Sequence, residues 1–319
     1  MQIGVGKNSI LIVAPAKLNL FLNVLGKRPD GFHEIETLMS PISLCDELEF
    51  SFTSGSEIQL YLELPQTSLV SGDPAWEIPD DDRNLVVRSV KSVREALGVT
   101  GGCKIRLKKA IPAAAGLGGG SSNAASAVVA ALLAWGKWDR ELALSICHSL
   151  GSDVGFFLGD QRRIGMALAT GRGEKCEILS EQPDFDFLVL HPPAGCATSA
   201  VYANLIITDP YRTSGPITEA CRTGDRDRVG ALLFNSLQLS ARSLTDWIDK
   251  QLEFLQIEGC EHRCMSGSGS SCFALIADTR RISKLRRAAL DAGLTRAYAV
   301  KSWYSSSIED QIRHSGRFN

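Results

Sequence analysis

The stretch Ile111 to Ala125, IPAAAGLGGGSSNAA, constrains this 319-residue chain more than any other. Gly116, Gly118, Gly119 and Gly120 lack the Cβ atoms that would keep a backbone away from a ligand. Ser121, Ser122 and Asn123 are good N-cap residues, and the Ala- and Leu-rich run Ala124 to Trp135 predicts a helix stopped by Gly136. A glycine loop ending at a helix N-terminus aims unpaired N–H groups and the positive end of the helix dipole into the loop, a setting for phosphate. A tight turn packed on a buried helix is the alternative. Two familiar phosphate loops do not fit: no Gly-Lys-Ser/Thr ends the segment, and Ser121 stands where a dinucleotide fingerprint starting at Gly116 needs glycine.

Composition narrows the partners. Lys and Arg number 34 against 36 Asp and Glu, so a net charge near −2 gives no case for nucleic acid or an anionic membrane. Any anion must be bound locally. Nine cysteines run from Cys45 to Cys272, and the N-terminus has no basic start followed by an apolar signal core; the expectation is a soluble, cytoplasmic chain with reduced thiols. No apolar run reaches the roughly 18 residues of a membrane span.

In Ile10 to Gly26, Leu18, Leu20, Leu22 and Val24 alternate with Lys17, Asn19, Phe21 and Asn23, which predicts a strand with Lys17 and Asn19 neighbours on one face. That face is either solvated or part of a site. Pro29-Asp30-Gly31 is a turn, and Phe32 and His33 after it are either core and surface residues or a base-stacking pair. Two strands are expected between Glu47 and Leu64, an exposed polar excursion from Gln66 to Asp82, a helix over Asn84 to Leu97, and a strand over 102–110 leading into the glycine loop. Asp139 to Leu150 reads as a helix. Asp153, in GSDVGFFLG, is either a helix cap or a base held beside a dry site.

Beyond Arg163, strands are expected at 163–169, 185–191, 260–265, 272–277 and 296–303, and helices at 198–205, 226–235, 243–255 and 280–292. The mixed order without steady βαβ repetition indicates α+β. The expected division falls near residue 165, giving domains 1–164 and 165–319. Ser266 to Ser271, SGSGSS, is a second small-residue loop. Cys260, His262 and Cys264 lack a second ligand pair and do not read as a zinc site.

PAKLNLFL with Lys17, PAAAGLGGGSSNAA, and MSGSGSSCFA resemble, in order, the three motifs of the GHMP kinase superfamily. The triple glycine before Ser121, the segment GKRPDGFHEIETLM and the residues around Asp153 are most similar to the branch whose substrate carries a cytidine diphosphate group, in non-mevalonate isoprenoid biosynthesis. This resemblance implies a ribosomal S5 domain 2-like N-terminal domain, a ferredoxin-like C-terminal domain and a site in the cleft between them. It implies ATP phosphates on Pro112, Ala113, Ala114, Ala115, Gly116, Leu117, Gly118, Gly119, Gly120, Ser121 and Ser122. It also implies a catalytic pair, Lys17 and Asp153, and a substrate held by Asn19, Phe32, His33 and Thr198. ATP and Mg²⁺ are the implied cofactors; no Mg²⁺ ligand set is assigned, with Ser122 a candidate hydroxyl. The implied reaction phosphorylates a 2-hydroxyl, in a monomer or homodimer. The chain departs from the branch at Gly155, where proline is common, at Phe32, where tyrosine is frequent, at Cys264, where a basic residue is frequent, and in the length of 66–82. A homoserine- or mevalonate-type kinase and a non-catalytic nucleotide-binding regulator are the competing readings.

Overall fold

The structure, a computed structural model, describes residues 1–6, 9–65, 73–136, 138–207, 209, 211–294 and 296–315. The chain opens with β1 (Gln2–Val5), antiparallel to the long β2 (Ser9–Lys27), which pairs in turn with β3 (His33–Thr53). β4 (Ile58–Glu63) and β5 (Gly102–Lys108) are parallel, because α1 (Leu85–Leu97) crosses between them. The strand order is β1-β2-β3-β5-β4. α1 starts where the Asn84 side chain accepts from the Val86 N–H and ends at Gly98, with φ +63°, a backbone that glycine tolerates best. α2 (Gly119–Ala134) and α3 (Arg140–Leu150) join it, and Val90, Val93, Val128, Leu132 and Ile146 of the three helices share one buried cluster with Ile12, Phe50 and Ile105 of the sheet.

β3 begins at His33, just after the turn at Pro29-Asp30-Gly31, so the strand starts well before the expected Glu47. From Ile35 to Leu44 it is buried almost throughout, which erases the alternation that marks a strand with one solvated face. β2 is likewise buried on both faces, and Lys17 and Asn19 are only 3% and 2% exposed. After β6 (Arg163–Ile164), the expected single strand continues as β7 (Ala167–Gly171) and turns into an unanticipated β8 (Lys175–Ile178). β7 pairs with β3, and β8 with β7. β7 and β8, beyond residue 165, therefore belong to the first sheet.

The second sheet begins with β9 (Asp186–His191). α4 (Thr198–Ala203), α5 (Gly215–Thr223) and α6 (Arg226–Ala231) follow, the middle one not expected from sequence. The expected helix 226–235 stops at Ala231, and Phe234–Asn235 forms β10, a parallel pair with Phe21 and Leu22 of β2. Here Asn235 donates to the carbonyls of Met265 and Gly267, 2.8 Å each, so its side chain ties a loop instead of continuing a helix. α7 (Gln238–Arg242) and α8 (Trp247–Ile257) replace the single helix expected at 243–255. β11 (Arg263–Met265), β12 (Cys272–Ile276), α9 (Ile282–Asp291) and β13 (Arg296–Lys301) complete an antiparallel sheet ordered β11-β12-β9-β13. β14 (Ser305–Ser306) and α10 (Ile308–His314) return to the first unit, where the Ile3 N–H donates to Gln311. The fold is α+β, as expected.

The two sheets share a core. Ala16, Leu18, Phe21 and Leu38 of the first pack with Phe187, Val189, Phe273 and Leu275 of the second, and Ile111 and Leu117 of the glycine loop enter the same cluster. Burying each such side chain contributes roughly 1.5–3 kcal/mol. Apolar packing thereby anchors the loop at the seam.

Of the polar excursion, residues 66–72 lie outside the described residues. The rest is not wholly exposed: a short 3₁₀ turn, Pro74–Trp76, buries Trp76.

Candidate active site

Helix α2 begins at Gly119, earlier than Ala124, and its N-cap is Gly118 at φ +69° with no side-chain cap. Ser121 and Ser122 therefore lie inside the first turn. The Ser122 N–H donates back to the Gly118 carbonyl at 2.9 Å. The N–H groups of Gly119, Gly120 and Ser121 precede the first intrahelical bond, and with a glycine cap nothing in the helix neutralises them. Together with Gly116 and Gly118 they line the cleft.

A buried carboxylate holds the loop's entrance in place. Asp46, fully buried on β3, accepts from the N–H groups of Ala110 (2.7 Å) and Ile111 (2.9 Å), from Asn123 Nδ2 (2.9 Å) and from Lys109 Nζ. Such a pair is tolerated in the interior because its polar atoms are satisfied. It joins β3, the loop and α2.

From the other side the SGSGSS loop closes on the glycine loop. The Ser266 hydroxyl donates to the Gly116 carbonyl at 3.0 Å and accepts from the Asn19 N–H at 3.3 Å. A Cβ at Gly116, where φ is +73°, would overlap the Ser266 carbonyl oxygen, so this crossing admits only glycine.

Lys17 runs along Gly118 to the middle of the cleft, where its ammonium stands 2.6 Å from Asn19 Oδ1 and 3.6 Å from Asp153 Oδ2. Asn19 Nδ2 donates to Thr37 Oγ1 (2.8 Å), which donates to the Phe21 carbonyl (2.7 Å). A chain of three hydrogen bonds thus ties the Lys17 ammonium to the β2 backbone. Burial lowers the Lys17 pKa from its ordinary value, and the Asp153 charge opposes that shift. Asp153 caps no helix: the following 3₁₀ turn, Gly155–Leu158, has Val154 at its N-cap, and the carboxylate is about one-third exposed.

At the far end Phe32 is half exposed, with the Arg172 guanidinium 4.7 Å from its ring centroid. His33 stacks on Tyr202, centroids 4.9 Å apart and planes at 30°. Burial and then the Lys27 charge lower the His33 pKa, which favours a neutral ring with one donor and one acceptor nitrogen. The Thr198 hydroxyl, on the same helix as Tyr202, is 2.8 Å from that of Ser268.

One cleft of about 730 Å³ joins these parts. Lys17, Asn19, Phe32, His33, Asp153 and Thr198 all line it, as do the loop residues Pro112 to Gly116 and Gly118 to Ser121. Leu117 points into the shared core, and the Ser122 hydroxyl is buried without a hydrogen-bond partner. Thr37, Tyr202 and Arg172 also line the cleft. Thr37 lies within the segment GKRPDGFHEIETLM and Tyr202 within the helix expected at 198–205, but neither they nor Arg172 are among the expected site residues. Among the described residues no three His, Cys, Asp or Glu side chains form a metal cluster, and no helix is long and apolar enough to cross a membrane.

Comparison with known proteins agrees with this geometry. Residues 84–160 match the GHMP kinases N terminal domain and residues 217–294 the GHMP kinases C terminal domain. The chain is 39% identical over 283 residues to 4-diphosphocytidyl-2-C-methyl-D-erythritol kinase of Rhodopirellula baltica, covering 82% of this chain and 85% of that protein. It is 32% identical to the kinase of the same name from Listeria monocytogenes, covering 96% and 99%. A crystal structure of 4-(cytidine 5'-diphospho)-2C-methyl-D-erythritol kinase superposes with a TM-score of 0.73 at 30% identity, over 92% of this chain and 99% of that one. Homoserine kinase from Cytophaga hutchinsonii, at 18% identity and a TM-score of 0.69 over 96% and 99%, shares the fold. GHMP kinases use ATP, and with the cleft and its motifs these matches place the chain in the 4-diphosphocytidyl-2-C-methyl-D-erythritol kinase family, phosphotransferases with an alcohol group as acceptor.

Proposed function

We propose that this chain transfers the γ-phosphoryl group of ATP to the 2-hydroxyl of 4-diphosphocytidyl-2-C-methyl-D-erythritol, in non-mevalonate isoprenoid biosynthesis. The observation that carries the reading is one cleft with uncapped amides at one wall, a Lys17–Asp153 pair in the middle and an aromatic end at Phe32, His33 and Tyr202. ATP phosphates lie along Pro112 to Ser122, where the N–H groups of Gly119 to Ser121 and the helix dipole hold negative charge. The cytosine stacks at the aromatic end, where neutral His33 reads its edge with one donor and one acceptor. Thr198 and Asn19 contact the polyol.

Asp153 takes the proton of the acceptor hydroxyl, and Lys17 keeps Asp153 ionised and oriented. Transfer of a phosphoryl group depends mainly on positioning and on stabilising spread charge, so the loop amides and Lys17 contribute as much as the base. The cleft also fits Mg²⁺ in its usual form, held through nucleotide phosphates with few protein ligands: the Asp153 carboxylate and Ser121 hydroxyl line it without a caged cluster among the described residues. When bound, the ion would neutralise phosphate charge. No membrane or nucleic-acid partner is part of this reading, and the chain works in the cytoplasm as a monomer or homodimer.

Replacement of Asp153 by Asn tests the assignment. It should lower kcat by about 10² to 10⁴, as loss of a general base does, with little change in the KM for ATP. Transfer within about tenfold of the parent rate would remove Asp153 from the role of base.

A further inference from the structure

We propose that Arg172 binds the diphosphate of the acceptor, selecting a nucleoside diphosphate over the bare nucleoside; this rests on the cytidine reading given above. The placement argues for it. The guanidinium lies 4.7 Å from the Phe32 ring centroid, at the aromatic end. The next residue, Gly173, abuts the catalytic end, where a Cβ would come within 3.6 Å of Asp153 Oδ1. A substrate with its base at Phe32 and its hydroxyl at Asp153 must carry its diphosphate past the residue between them.

Arg172 is held there by its backbone. Its N–H donates to Glu174 Oε2 at 2.6 Å, in a turn bounded by Gly171 (φ +74°) and Gly173 (φ +105°). The side chain, by contrast, is uncommitted: it enters no salt bridge and no hydrogen bond among the described residues, although Asp30 and Glu174 are close enough to feel its charge. Stacking over Phe32 leaves the in-plane N–H donors available. Of the described residues lining the cleft only Lys17 and Arg172 are lysine or arginine, and Lys17 is engaged by Asn19 and Asp153. The planar guanidinium fork matches two phosphate oxygens, which an ammonium does not.

The test is calorimetric titration of the parent protein, R172A and R172K with cytidine, CMP and CDP, the ATP site filled with a non-hydrolysable ATP analogue. The parent should bind CDP more tightly than cytidine. R172A should lose about 10- to 100-fold in CDP affinity while cytidine binding stays within about threefold, and R172K should recover part of the loss. Equal weakening of cytidine and CDP in R172A would mean that Arg172 only orders Phe32, and unchanged CDP binding would remove it from the site; either overturns the proposal. A parent protein that binds neither ligand would overturn the cytidine reading itself, a failure distinguishable from the other two.

Discussion

Lys17 is a lysine brought to a place where its charge is costly. It is almost fully buried, and what keeps it charged is the Asp153 carboxylate and the Asn19 oxygen. Because burial depresses its pKa below the ordinary 10.5, the proton leaves at a lower pH than from an exposed lysine. The charge is present below that pH and lost above it, so kcat/KM should show an alkaline limb below 10.5, and Lys17→Arg should move the limb upward while slowing turnover. A limb that stays put in the arginine variant would belong to another group. Lys17 and Asp153 were legible because each sits in a short motif. The bond from Asn19 to Thr37 was not, because it forms only through the pairing of β2 with β3, and nothing in a sequence states that register. Arg172 and Tyr202 meet Phe32 and His33, about 140 and 170 residues earlier in the chain, only in the fold, and that separation hides them equally.

Among the elements, α2 and its loop were the most readable, since four glycines before a run of alanines admit few conformations. Its start was misjudged because Ser121 to Asn123 are good caps, whereas the loop keeps the N-cap as glycine and leaves its amides bare. What the sequence concealed is the support beneath: Asp46 sits in an unremarkable strand segment, yet accepts hydrogen bonds from Lys109, Ala110, Ile111 and Asn123. Asp46→Ala strands the buried Lys109 ammonium and should destabilise the protein by about 3–5 kcal/mol in denaturant unfolding. In the fraction that remains folded, the KM for ATP should rise more than the KM for the acceptor, since the loop amides lose their anchor. Equal stability and equal KM values would show that the loop stands without this carboxylate.

At the scale of the molecule, α+β organisation was visible in the mixed order of strands and helices, but the meeting of the halves was not. β7 and β8 join the first sheet by pairing with β3, and the two sheets share one apolar cluster, so no composition change marks a boundary. A second tie lies at the ATP end. Arg296 on β13 pairs with Asp73, whose carboxylate also accepts from the Ala75 N–H, and the Ala75 carbonyl accepts from Ala113 of the glycine loop at 2.9 Å. Both partners of that pair are nearly buried. Arg296→Ala should cost about 3 kcal/mol and weaken ATP more than the acceptor, and removing Asp73 as well should return part of the stability. Additive losses in the double variant would mean that the two residues act independently.

The acceptor decides what this cleft does. ADP release measured with ATP and Mg²⁺ against 4-diphosphocytidyl-2-C-methyl-D-erythritol, mevalonate, homoserine and no acceptor tests it most directly. Turnover is expected with the first alone, dependent on Lys17 and Asp153. Turnover only with mevalonate or homoserine would contradict the cytidine end while leaving the phosphate loop intact, and release with none would leave a nucleotide-binding protein without this chemistry.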